Sequence, residues 1–76
     1  MEDALLKAFG VHLKTLRAEK AISQEALALK AGLDRTYISG VERGLRNVSL
    51  INLKKLSVAL ELSLSELMDF AESSHD

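Results

Sequence analysis

The sequence predicts an all-α protein, a compact domain of five short helices. Three observations predict it. There is no proline in the 76 residues. Ala, Leu, Glu, Lys and Arg, which lose little on entering a helix, dominate the composition. Apolar residues recur at three- and four-residue spacing, and no stretch alternates apolar and polar convincingly over strand length. Glycines and Ser/Asp positions then divide the chain into elements.

Leu5, Leu6, Phe9, Leu13 and Leu16 share one helical face, which predicts a first helix from Asp3 to Glu19 with a weak point at Gly10. Lys20-Ala21-Ile22 is a short connection. Ser23 is a natural N-cap, because its hydroxyl accepts from free amides of the next turn. It opens a second helix, Gln24 to Lys30, with Leu27 and Ala28 inward. Gly32 ends that helix in a left-handed conformation. Asp34 caps a third helix, Arg35 to Arg43, buried through Ile38 and Val41 and followed by Gly44. Leu45 to Val48 is a loop. Ser49 caps a fourth helix, Leu50 to Leu60, whose apolar positions are Leu50, Leu53, Leu56, Val58 and Leu60. Ser63 or Ser65 caps a fifth, ending near Ala71. A single domain spans residues 1–72, and residues 73–76 read as a disordered tail.

Composition narrows the function. With no cysteine, disulfides and thiolate metal sites are excluded. His12 and His75 stand far apart, neither with a partner at ligand spacing, so no metal is expected, and with no residues left over for a sensing domain no cofactor or small-molecule ligand is expected either. No nucleophile and base stand at a workable spacing and there is no phosphate loop, which argues against an enzyme. No apolar run approaches the roughly 20 residues that span a bilayer. Met1-Glu2-Asp3 is acidic where a secretory signal is basic. A cytoplasmic protein with no membrane partner is expected. The net charge of −1 hides an asymmetry. Residues 61–76 hold five acids and no Lys or Arg, leaving all ten bases against six acids in the first 60 residues. A basic body with an acidic end suits a molecule with one face toward phosphate.

The informative stretch is residues 24–44, two short helices joined by a turn with a glycine. Ala28 stands where the helices cross, and a larger side chain there would part them. Gly32 makes the reversal, while Leu33, Ile38 and Val41 fill the angle between the helices. An α-helix held outward in this way fits the DNA major groove. Its outward residues are Arg35, Thr36, Ser39 and Gly40, with Tyr37 at the boundary; these are the candidate base contacts. Arginine grips guanine O6 and N7, a threonine methyl meets a thymine methyl, and Gly40 lets backbone approach closely. Ser23 and Gln24, at a helix N-terminus, are candidate phosphate contacts. Arg43, Arg46 and Asn47 are candidates for backbone contact beyond the second motif helix.

Ser23-Gln24-Glu25-Ala26-Leu27-Ala28, Ala31-Gly32-Leu33 and Arg35-Thr36-Tyr37-Ile38-Ser39-Gly40-Val41-Glu42-Arg43-Gly44 together resemble the phage-repressor-type (Cro/C1, Xre-like) helix-turn-helix family. The resemblance covers about residues 9 to 70. It implies a lambda-repressor-like five-helix fold, double-stranded DNA as partner, and a homodimer on a near-palindromic operator. It also implies an ion pair between Arg17 and Glu42. A narrower likeness, carried by Leu33 to Gly40 with Arg43 and Arg46-Asn47, is to the controller proteins of restriction-modification systems, which regulate transcription.

Leu64, Leu67, Met68 and Phe70 exceed what one inward stripe needs, so the last helix is the candidate dimer surface, with the same patch used on both copies. The alternative function is a protein-interaction module, such as an antitoxin of the same fold. Arg35, Arg43 and Arg46, grouped about the second motif helix, favour DNA.

Overall fold

The computed structural model describes residues 2–71; the segment read as a tail, 73–76, lies outside the described residues. Five helices follow in order: α1 (Glu2–Glu19), α2 (Gln24–Ala31), α3 (Arg35–Glu42), α4 (Leu50–Ala59) and α5 (Leu64–Leu67). No strand occurs among the described residues. None of their helices is long and apolar enough to cross a membrane.

Each helix from α2 onward starts on a side-chain cap. Ser23 accepts from the Ala26 amide, Asp34 from Thr36, Ser49 from Asn52 and Ser63 from Glu66. At α5 the cap is reciprocal. The Ser63 amide donates to Glu66 Oε1 at 2.9 Å while the Glu66 amide donates to Ser63 Oγ at 3.0 Å. Donation to the carboxylate, first from the Ser63 backbone amide and then from its hydroxyl, favours the charged form and holds Glu66 below the ordinary glutamate range.

Helices α1 to α4 all stop in the same way. A residue in the left-handed region follows the helix, and the next residue's amide reaches back five positions. Ile22 donates to the Arg17 carbonyl at 3.1 Å, Leu33 to Ala28 at 2.9 Å, Leu45 to Gly40 at 2.9 Å and Leu62 to Ser57 at 2.8 Å. The left-handed residues are Ala21, Gly32, Gly44 and Glu61. Of the aliphatic residues that follow, Ile22, Leu33 and Leu62 tuck against the core, whereas Leu45 stays exposed.

The core is built from Phe9 and Leu13 of α1, Leu27, Ala28 and Ala31 of α2, Ile38 and Val41 of α3, and Leu56, Leu60 and Leu67. Helix α1 lies across α3 so closely that a Cβ at Gly10 would stand 2.5 Å from the Val41 carbonyl oxygen. Gly10, read as a weak point of the first helix, is thus the crossing point of two backbones. Ser57 is fully buried, with its hydroxyl donating to the Lys54 carbonyl at 2.8 Å.

The structure departs from the sequence reading at two apolar surfaces. Leu5, Leu50 and Val58 are exposed, although their spacing fits an inward face. Each of these helices packs through a narrower stripe, so apolar residues at its edges stay in solvent. The fifth helix ends at Leu67 rather than near Ala71. Beyond it Phe70 turns back onto α1, its ring 5.8 Å from Phe9 and 5.3 Å from His12. That contact closes the lower core with an irregular segment instead of further helix.

Candidate nucleic-acid interface

Helix α3 is pinned from behind by one carboxylate. Arg17 Nε donates to Glu42 Oε2 at 2.7 Å and Arg17 Nη2 to Glu42 Oε1 at 3.0 Å. Gln24 Nε2 adds a third bond, to Glu42 Oε1 at 3.0 Å, and Arg17 Nη1 reaches the Ile22 carbonyl at 2.9 Å. The pair is largely out of solvent, with the Arg17 and Glu42 side chains 14% and 3% exposed. The bond to Glu42 outweighs burial and leaves the Arg17 guanidinium more basic than a free arginine. One charge cluster therefore ties α1, α2 and α3 together behind the outward face of α3.

Around α3, at about 100° per residue, Ile38 and Val41 face the core, while Arg35, Ser39, Arg43 and Thr36 follow one another on the opposite side. Arg35, Thr36 and Arg43 are exposed and Ser39 half-exposed. Arg46 and Asn47, in the segment between α3 and α4, are exposed as well. Arg35, Arg43 and Arg46 form no ion pair with any described residue, so three guanidinium groups stand available to an anionic partner.

Tyr37 is half-buried at the edge of this face. Its hydroxyl accepts from Asn52 Nδ2 at 3.1 Å and keeps its own proton to donate. The Arg46 guanidinium lies over its ring, 4.8 Å from the centroid. Asn52 carries no signal of this contact in the sequence. It lies in the first turn of the next helix, and no local pattern links it to Tyr37.

Two expected placements, Gly40 and Leu67, need correction, and Gln24 is only partly free. The sequence puts Gly40 outward, close to DNA; it is buried, because the segment after α3 folds back and lays the Arg46 stem over it. The sequence offers the Gln24 side chain to phosphate; it is half-buried and one amide proton is committed to Glu42. Ser23 remains exposed at its cap. For the dimer surface, Leu67 is fully buried in the monomer core. Leu64 and Phe70 are half-buried against that core, which leaves Met68 as the exposed member of the four.

The larger exposed apolar surface lies on α4, where Leu50, Ile51 and Val58 are 72%, 70% and 61% exposed. Lys54 and Lys55 stand on the same outer side. The signal was present in the sequence. Leu50 and Ile51 are adjacent, and together with Leu53 and Leu56 they cover more of the helix than one stripe requires.

A helix-turn-helix pair whose second helix presents Arg35 beside small polar residues, with Arg43 and Arg46 just beyond it, defines a DNA-binding regulator of the helix-turn-helix class. A helix-turn-helix family profile matches residues 13–67, and the chain belongs to this Cro/C1-type family. Control protein C.MunI of Mycoplasma sp is 54% identical over 73 residues, which are 95% of this chain and 97% of that protein. Control protein C.BamHI of Bacillus amyloliquefaciens is 49% identical over 63 residues, 82% of this chain and 78% of the relative. The solved structure of the restriction-modification controller protein C.AhdI from Aeromonas hydrophila superposes with a TM-score of 0.81 at 54% identity, covering 83% of this chain and 96% of that one.

Proposed function

We propose that this regulator binds a near-palindromic operator as a homodimer, in the cytoplasm, and controls transcription of restriction-modification genes. The observation that carries the DNA reading is the outer face of α3, with Arg35, Thr36 and Ser39 exposed or half-exposed on the helix and Arg43 exposed at its C-cap, braced from behind by the Arg17–Glu42 pair. Arg35 and Thr36 read base edges, and Ser39 and the Tyr37 hydroxyl contribute at the margin. Ser23 with the free amides of α2, together with Arg43, Arg46 and Asn47, hold phosphates. The kinship with restriction-modification controllers, C.AhdI among them, supports the choice of regulated genes.

The dimer forms through the outer side of α4. Leu50, Ile51 and Val58 supply apolar area. Lys54 and Lys55 lie among them, and a two-fold axis through this side brings the same patch of both copies together. Two recognition helices about 34 Å apart then meet successive major grooves on one side of the duplex.

Selection from a pool of random duplexes at one stated salt concentration tests the reading, because phosphate contacts make affinity fall steeply with salt. The expected result is enrichment of a two-fold symmetric site. Arg35→Ala is expected to relax one position in each half-site and to cost about 1–3 kcal/mol. Enrichment of no sequence, with weak binding even at low salt, overturns it.

A further inference from the structure

Gly40 lies within α3, where a glycine is unfavourable. Its φ is not in the left-handed region, so the backbone does not require it. No packed backbone requires it either. A Cβ built there would stand 2.9 Å from Arg46 Cγ and 3.4 Å from Arg46 Cδ, and, the helix's own backbone and chain neighbours aside, nothing else lies within 4 Å. Gly10 and Gly44 differ, since a Cβ at either would strike backbone. The space left at position 40 is filled by one side chain alone.

That side chain then continues onto the Tyr37 ring, with its guanidinium carbon 4.8 Å from the centroid, within reach of a cation–π attraction. The ring is itself held from α4 by the Asn52 bond to its hydroxyl, at 3.1 Å. Around the helix Gly40 falls between Thr36 and Tyr37. Arg46 is therefore laid along the shoulder of the recognition face, not left swinging from its loop.

We propose that Gly40 and Tyr37 are positioning residues that form a seat for Arg46 and hold its guanidinium ready for DNA before the duplex arrives. An arginine free in a loop loses rotamer freedom when it grips an anion. A seated one has already lost it on folding, so more of the contact appears as affinity. The proposal rests on the DNA reading above, with Arg46 as a contact of the duplex.

The test uses the full chain and the selected duplex at fixed salt, with Gly40→Ala, Arg46→Ala and the double variant. Alanine is the better helix former, and the atoms it meets are Cγ and Cδ of one exposed side chain, which must leave its rotamer to make room. Gly40→Ala is expected to melt no lower than wild type and to bind about tenfold more weakly. Arg46→Ala is expected to bind at least as weakly, and adding Gly40→Ala to it should change nothing further, a coupling that a purely structural role would not produce. In the free protein, Arg46 side-chain protons should carry a ring-current shift from Tyr37 that Gly40→Ala abolishes. If Gly40→Ala binds like wild type while Arg46→Ala is weak, the seat is refuted and the DNA reading stands. If Arg46→Ala also binds like wild type while Arg35→Ala does not, Arg46 has no task at the duplex and the seat is again refuted. If wild type selects no sequence, it is the underlying DNA reading that fails.

Discussion

At the scale of single residues, the strongest constraint is the carboxylate of Glu42. It accepts from two nitrogens of Arg17 and from Gln24, and its side chain is 3% exposed. Removing Arg17 leaves a buried charge with one neutral donor. Arg17→Ala is therefore expected to lower unfolding free energy by on the order of 3–5 kcal/mol, read by urea denaturation. A domain this small has little margin, so most of its apparent loss of DNA binding should follow from the unfolded fraction. Affinity corrected for that fraction should stay close to wild type. If Arg17→Ala melts like wild type, the pair does not brace the fold. The pairing of Arg17 with Glu42 entered the sequence reading only through family resemblance. The added bond from Gln24 did not, because nothing in the spacing of residues 24 and 42 signals contact.

At the scale of elements, repetition is the informative feature. Four helices end on a left-handed residue with the same backward hydrogen bond, yet only two of the four are glycines. The sequence marks Gly32 and Gly44 as stops. It gives no such mark at Ala21 or Glu61, where a side chain is carried into a conformation that costs roughly 1–2 kcal/mol for an L-residue. Both residues are exposed. Ala21→Gly and Glu61→Gly should each raise stability, by about 0.5–1 kcal/mol once the greater freedom of glycine in the unfolded chain is subtracted. Melting temperatures of the two single variants and the double check this, with near-additive gains expected because the sites serve separate helix ends. A drop in either variant would mean that the side chain at that turn makes a contact worth more than the backbone strain.

At the scale of the whole molecule, the question is how two copies meet. Composition pointed to the last helix, but the structure spends Leu67 fully, and Leu64 and Phe70 largely, on the monomer. The apolar area left over is on α4, and the dimer is expected there. Leu50→Glu combined with Ile51→Glu places acids in the first turn of α4, which the helix dipole favours, so the monomer fold should persist. Sedimentation equilibrium should then find this variant monomeric at concentrations where wild type is dimeric. Its melting temperature should no longer rise with protein concentration. Met68→Glu should have a smaller effect. If the α4 variant dimerises like wild type, the interface lies elsewhere.

The sequence by itself determined the elements and their class. Periodicity, four side-chain caps and two glycine stops mark five helices, and the run from Ser23 to Gly44 marks a helix-turn-helix with its outward arginines. These are local signals, read within a turn or two, because capping and turn chemistry act over that range. Tertiary structure decided which apolar residues are spent inside the monomer, where Gln24 and Tyr37 send their polar groups, and why Gly10 and Gly40 have no side chain. Each depends on a residue distant in sequence or on a loop folding back. Gly10 faces Val41, Gln24 faces Glu42, Tyr37 faces Asn52 and Gly40 lies under Arg46. No periodicity records such meetings, since they exist only once the helices have packed and the space between them is fixed.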